Sequence, residues 1–172
     1  MTTPAKKKLA KKICLLGSYR VGKTSLVRQF VSSIYDEAYH VTLGVKIDKK
    51  LLSLDAADVE LMIWDIAGAE DKSDVPKSYF AGLAGYLLVI DGTRAETVDR
   101  ALDIARQVEA AAKKVPVVVL LNKSDLADQW KLDDAALAKL DPLAAPLLRT
   151  SAKTGDNVEA AFRMLGERIV QS

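Results

Sequence analysis

The stretch Ile13-Cys14-Leu15-Leu16-Gly17-Ser18-Tyr19-Arg20-Val21-Gly22-Lys23-Thr24-Ser25-Leu26-Val27 joins three patterns in succession. Residues 13–16 are all apolar and read as a buried strand. Residues 17–24 fit G-x-x-x-x-G-K-[ST]. Residues 24–33 read as a helix, with Leu26 and Phe30, and Val27 and Val31, paired at i,i+4. Such a strand–loop–helix is built to hold an anion. Glycines let successive backbone N–H groups converge, and the new helix adds the positive end of its dipole. Lys23 supplies a point charge to the outer phosphates, and the Thr24 hydroxyl can ligate Mg²⁺. A nucleotide phosphate site is expected here, formed by Gly17, Ser18, Tyr19, Arg20, Val21, Gly22, Lys23, Thr24 and Ser25.

Outward from this stretch, short apolar runs alternate with helical patterns. Residues 45–54 and 59–65 read as two strands joined by the polar turn Asp55-Ala56-Ala57-Asp58. Strands are also expected at 85–91, 116–121 and 147–151. Helices are expected at 96–114, 133–140 and 157–170, and residues 34–44 lack periodicity and read as a loop. Alternation around fully apolar central strands indicates a mostly parallel α/β sheet covered on both faces, with one antiparallel edge strand. Ligands of such sheets sit at the carboxyl ends of the strands. The chemistry is therefore expected just after residues 16, 65, 91, 121 and 150.

Composition agrees with one soluble domain. The chain has 172 residues, 49% hydrophobic and 28% charged, which excludes a disordered or collagen-like polymer. The longest apolar runs, 115–121 and 85–90, are too short to span a bilayer. The single cysteine, Cys14, has no partner for a disulfide, so a reducing, cytoplasmic compartment is expected. Five of the first twelve residues are lysine (Lys6, Lys7, Lys8, Lys11, Lys12), whereas the other 160 carry 20 basic and 23 acidic side chains. Residues 1–12 thus read as a basic arm and 13–172 as a single domain. The arm is either a solvated tail or a weak contact for an anionic membrane surface; no nucleic-acid partner is expected.

Two further motifs choose the base and the metal. Asn122-Lys123-Ser124-Asp125 fits N-K-x-D directly after a strand. The Asp125 carboxylate can accept two hydrogen bonds, from guanine's ring N–H and its exocyclic amine. Adenine has neither donor there, so the carboxylate would be left unpaired. Ser151, Ala152 and Lys153 follow the last strand, where they could brace Asp125 and offer an N–H to the base carbonyl. Asp65-Ile66-Ala67-Gly68 ends the third strand. Asp65 is a candidate Mg²⁺ ligand, with Thr24 and with Thr42 from the loop, and Gly68 lets an N–H approach a terminal phosphate.

Together these segments resemble the small GTPase superfamily of Ras-like proteins over residues 11–170, with Leu61–Asp65 and Thr42-Leu43-Gly44-Val45 most similar to its Rab-type branch. The resemblance implies a P-loop NTPase three-layer sandwich with a six-stranded sheet and about five helices. It implies GTP and GDP as ligands with Mg²⁺. Tyr35 would edge the guanine, Tyr39 would lie over the phosphates, and Thr42 and Gly68 would grip the γ-phosphate. It also implies a molecular switch in which residues 34–44 and 66–80 respond to the γ-phosphate and meet effectors, exchange factors and activating proteins. Val41, Leu43, Val45 and the strand at 45–54 are the expected effector surface. A monomer is expected.

Three departures qualify the resemblance. Ala69 stands where the family usually has a water-orienting glutamine, so hydrolysis by the catalytic set Lys23, Thr42, Gly68 and Ala69 should be slower than the family's intrinsic rate, on the order of 10⁻⁴ per second. Glu70, Asp71, Arg20 and His40 are weak candidates to replace the glutamine, and each also reads as an ordinary solvated residue. Tyr19 occupies a loop position that is glycine in Ras, where a ring would crowd an incoming arginine finger. The chain starts Met1-Thr2 and ends Gln171-Ser172 without a prenylation motif, so no lipid anchor is expected and a bacterial member fits. Ala69 also leaves open a non-hydrolysing guanine-nucleotide-binding module, whereas an ATP-using protein is disfavoured by Asp125.

Overall fold

The structure, a computed structural model, describes residues 4–37, 42–67 and 73–172. Six strands form one sheet: β1 (Lys8–Gly17), β2 (Val45–Ser53), β3 (Asp58–Ile66), β4 (Leu83–Asp91), β5 (Val117–Asn122) and β6 (Leu147–Arg149). Their order is β2-β3-β1-β4-β5-β6. β2 runs antiparallel to β3, and the other pairings are parallel. The expected mostly parallel sheet with one antiparallel edge strand is therefore present.

Period-two alternation decides which side chain enters which core. In β1, Ile13 and Leu15 enter one core while Cys14 and Leu16 enter the other. β4 divides Leu87 and Val89 from Tyr86, Leu88 and Ile90, and β5 divides Val118 and Leu120 from Val119 and Leu121. Helices α1 (Lys23–Ser32) and α4 (Val158–Gln171) cover the first face, whereas α2 (Glu96–Ala111) covers the second. α3 (Asp134–Ala138) is short and is capped by the Asp133 carboxylate, which accepts from the Ala136 N–H at 2.8 Å. No helix among the described residues is long and apolar enough to cross a membrane.

Several element ends shift by a few residues from the sequence reading, and two differences are larger. β1 begins at Lys8 instead of residue 13, so residues 8–12 of the basic segment are sheet, paired with Asp58–Met62 of β3. Its lysines are accommodated because long aliphatic stems can lie on apolar surface while the ammonium finds a partner. Lys12 Nζ sits 3.7 Å from the Trp64 ring centroid and donates to the Ala81 carbonyl at 2.8 Å. Lys6 Nζ donates to the Leu54 carbonyl at 2.9 Å. The second difference concerns the helices. About five are expected, and four α-helices are found among the described residues, with 3-10 turns at Lys77–Phe80, Ala127–Gln129 and Asp141–Leu143. Between β3 and β4 the described chain makes only the single turn after Pro76, which cannot donate a backbone hydrogen bond.

α1 and α4 meet through Phe30 and Phe162, whose rings stack with centroids 3.8 Å apart. Phe162 is fully buried. Phe162→Ala removes this contact and leaves a cavity beneath α1, the helix that begins inside the phosphate loop. The expected loss is about 3–5 kcal/mol of stability. It should appear in urea titration as a lower midpoint with an unchanged slope.

Candidate functional site

The loop after β1 carries two positive φ angles, at Arg20 (60°) and Gly22 (104°). Gly22 is required on two counts: its backbone is left-handed, and a Cβ would lie 2.3 Å from Asn122 Nδ2. That Asn122 amide donates to the Val21 carbonyl at 2.9 Å, while its Oδ1 accepts from Thr150 Oγ1 at 3.1 Å. Asn122 thus fastens the end of β5 to the phosphate loop on one side and to the segment after β6 on the other.

Lys23 opens α1 and is 6% exposed. Its ammonium donates to the carbonyls of Gly17 at 3.1 Å and Ser18 at 2.8 Å. Burial pushes its pKa down to about 8, against the opposing pull of Asp65, with Arg94 adding to the depression. A cation held mainly by neutral carbonyls in a dehydrated site is primed for an anionic ligand.

The three candidate metal ligands come together. Thr24 Oγ1 donates to Asp65 Oδ2 at 2.6 Å, and the hydroxyls of Thr24 and Thr42 lie 2.5 Å apart. Asp65 is 1% exposed, and its other oxygen, Oδ1, is buried with no hydrogen-bond partner. Burial raises the Asp65 pKa, while the Thr24 bond and the charges of Lys23 and Lys46 oppose the rise. Two hydroxyls and one carboxylate, whose Oδ1 is buried without a partner, form a hard-oxygen donor set that suits Mg²⁺, a cation that keeps waters and shares ligands with phosphate. No group of three or more His, Cys, Asp or Glu side chains able to cage a metal exists among the described residues.

The candidate base pocket is also assembled. Asp125 Oδ1 accepts from Ser151 Oγ at 2.7 Å, and that same Oγ accepts from the Thr154 N–H at 3.1 Å. Ser151 and Ala152 are buried, and Ser124 N–H donates to the Thr150 carbonyl at 3.0 Å. Lys153 lies 3.5 Å from Glu37 in an exposed ion pair. Ser25 is half-buried behind the loop, while Tyr19 and Tyr35 are exposed. Tyr39, His40 and Val41, and Gly68, Ala69, Glu70 and Asp71, lie outside the described residues.

Asp91, Thr93 and Arg94 belong to no sequence motif, although the strand–helix alternation places the segment after residue 91 at the ligand-binding edge of the sheet. Asp91 is fully buried at the end of β4. Its Oδ2 pairs with Lys123 Nζ at 2.7 Å and Arg94 Nε at 3.0 Å, and its Oδ1 accepts from both the N–H and the hydroxyl of Thr93. Burial alone would raise its pKa, but the bonds from Lys123, Thr93 and Arg94 outweigh it and hold the carboxyl below the usual range. The available signal was a lone acid closing an otherwise apolar strand.

A depressed carboxyl contributes stability above its ordinary pKa of about 3.9 and loses it as the pH falls through the folded value. Asp91→Asn should therefore cost about 3 kcal/mol at pH 7, the low end for breaking a buried pair, because Lys123 and Arg94 are 31% and 33% exposed. In denaturation series the gap between the two proteins should close as the pH drops below about 4.

The phosphate loop, the hydroxyl–carboxylate cluster and the braced Asp125 occupy one edge of the sheet, at the carboxyl ends of β1, β3 and β5, where doubly covered sheets bind ligands. Residues 12–171 match the model of the Ras family. The match spans nearly the whole chain and takes in each of these segments in order, so the chain belongs to the Ras family of small GTPases.

Proposed function

We propose that this small GTPase is a GTP/GDP-gated switch with slow intrinsic hydrolysis, signalling through residues 34–44 and 66–80. The observation that carries this reading is the Thr42–Thr24–Asp65 cluster. Thr42 lies in the segment before β2, yet its hydroxyl reaches the first turn of α1 and, through it, a buried carboxylate at the end of β3. A loop tied to the phosphate loop at one hydroxyl is a two-state element: the terminal phosphate can hold it or let it go.

The residues divide the work as follows. Loop amides of 17–24 and Lys23 bind the phosphates. Asp125, braced by Ser151, selects guanine, with Asn122, Lys123, Ala152, Lys153 and Tyr35 completing the base pocket. Thr24, Thr42 and Asp65 would hold Mg²⁺, which would neutralise phosphate charge when bound. In hydrolysis, water attacks the γ-phosphorus in line with the departing GDP oxygen, Lys23 stabilises negative charge on the phosphates, and the Gly68 amide positions the γ-phosphate. Ala69 offers the water no side-chain partner. Leu43, 86% exposed, and Ile47, 47% exposed, present apolar surface beside this element and suit protein effectors or regulators.

Single-turnover hydrolysis of GTP with Mg²⁺, followed with Trp64 fluorescence, tests the reading. A measurable slow turnover with a fluorescence change on conversion to GDP supports a switch. Tight nucleotide with no turnover and no change supports the non-hydrolysing module that Ala69 also permits. Ala69→Gln is expected to raise the intrinsic rate, by roughly tenfold or more if water positioning is what is missing. Asp125→Asn is expected to shift preference from guanine to xanthine nucleotides in competition binding, because the amide presents a donor to the base edge.

A further inference from the structure

Arg20 is the one non-glycine residue of the phosphate loop with a positive φ, 60°. That conformation is unfavourable for an L-residue with a Cβ and persists only where surrounding contacts impose it. Two side-chain cations meet consecutive carbonyls here. Lys123 Nζ donates to the Arg20 carbonyl at 2.9 Å, and Arg94 Nη2 donates to the Tyr19 carbonyl at 2.5 Å. Both cations rest on the same buried oxygen, Asp91 Oδ2. Lys123 belongs to the base-reading motif, whereas Arg94 belongs to no motif and meets the loop at the Tyr19 carbonyl.

We propose that Arg94, anchored on Asp91, is a positioning residue of the phosphate loop: by holding the Tyr19 carbonyl it keeps Arg20 left-handed and the loop shaped for phosphate. The geometry explains why an arginine is needed. Nε must reach the carboxylate while Nη2 reaches the loop, and one planar guanidinium does both. Turns of this hand are what make successive N–H groups converge on an anion. Without the clamp, Arg20 can relax to a negative φ, and the amides lose their common direction. Asp91 keeps Lys123 and Thr93 when Arg94 is removed, and Asn122 keeps the Val21 carbonyl, so the sheet edge stays assembled while the loop loses its tie at Tyr19.

This inference rests on the loop being a guanine-nucleotide phosphate site. Its test is a double-mutant cycle on nucleotide release. Wild type, Arg94→Ala, Arg20→Gly and the double variant are loaded with fluorescently labelled GDP and Mg²⁺ and chased with excess GDP, and each variant's unfolding midpoint is recorded. Arg94→Ala should release GDP about tenfold faster, as for loss of a charge-assisted hydrogen bond. In the Arg20→Gly background the same change should matter less than about threefold, because glycine holds a positive φ unaided. Equal fold-changes in both backgrounds mean the residues are independent, and the proposal is then wrong. Should Arg94→Ala not fold, Arg94→Lys replaces it: one ammonium cannot make both bonds, so it must show the same dependence on residue 20. Wild-type protein that retains no labelled GDP overturns the nucleotide reading as well as the clamp. Wild-type retention with a null coupling overturns only the clamp.

Discussion

Three parallel strands whose carboxyl ends are held in fixed register are the constraint on which the rest depends. Gly17 of β1 lies opposite Val89 of β4, and Asp91 of β4 lies opposite Asn122 of β5. Evenly spaced parallel pairing leaves no freedom to slide one end past another without turning its side chains to the wrong core. Because those cores are built from alternating residues with almost no exposure, the register is strongly held. The amide ending β5 thereby meets the loop after β1, and the acid ending β4 is linked to that loop through Lys123 and Arg94. A one-residue slip of β1 on β4 would separate the Val21 carbonyl from Asn122, and a slip of β4 on β5 would separate Asp91 from Lys123.

At that edge the protein concentrates charge that it does not fully satisfy by itself. Lys23 is buried against carbonyls, and Asp65 is buried with one oxygen unpaired. Each is unfavourable in isolation, and burial moves their pKa values toward each other, Lys23 downward and Asp65 upward. The surrounding apolar packing carries this cost. An anion near Lys23 and a hard cation near Asp65 would relieve both, which is the electrostatic logic of a magnesium–nucleotide complex. Asp91 shows the contrast. It is as deeply buried, but with Lys123, Arg94 and Thr93 around it, it serves as a filled structural anchor.

The division between sequence and structure follows the range of the interactions. Apolar periodicity, the turn at 55–58, the glycine and lysine of the phosphate loop and the N-K-x-D segment are patterns within a few residues. Such patterns report local backbone preference and side-chain chemistry, so the strands, the long helices, the α/β architecture and the residue types of the candidate site are legible in the sequence. Element ends were less legible. Lys8–Lys12 looked like a solvated arm because charge within a strand is unfavourable on average, and only pairing with β3 and the ring of Trp64 give these lysines a place in the sheet.

What tertiary structure alone decided are contacts between residues far apart in the chain. The Thr24–Thr42–Asp65 cluster joins three segments, and Arg94 bonds a carbonyl 75 positions away. Asp91 carried no motif because its role is set by which cations the neighbouring strand ends bring to it. By itself the sequence determined the chemistry available, a glycine–lysine loop, a carboxylate in N-K-x-D and a set of hydroxyls with a carboxylate, because these depend on residue type and local turn. Strand register determined which of them touch, because packing of alternating side chains into two cores fixes the relative height of strands that the sequence lists far apart.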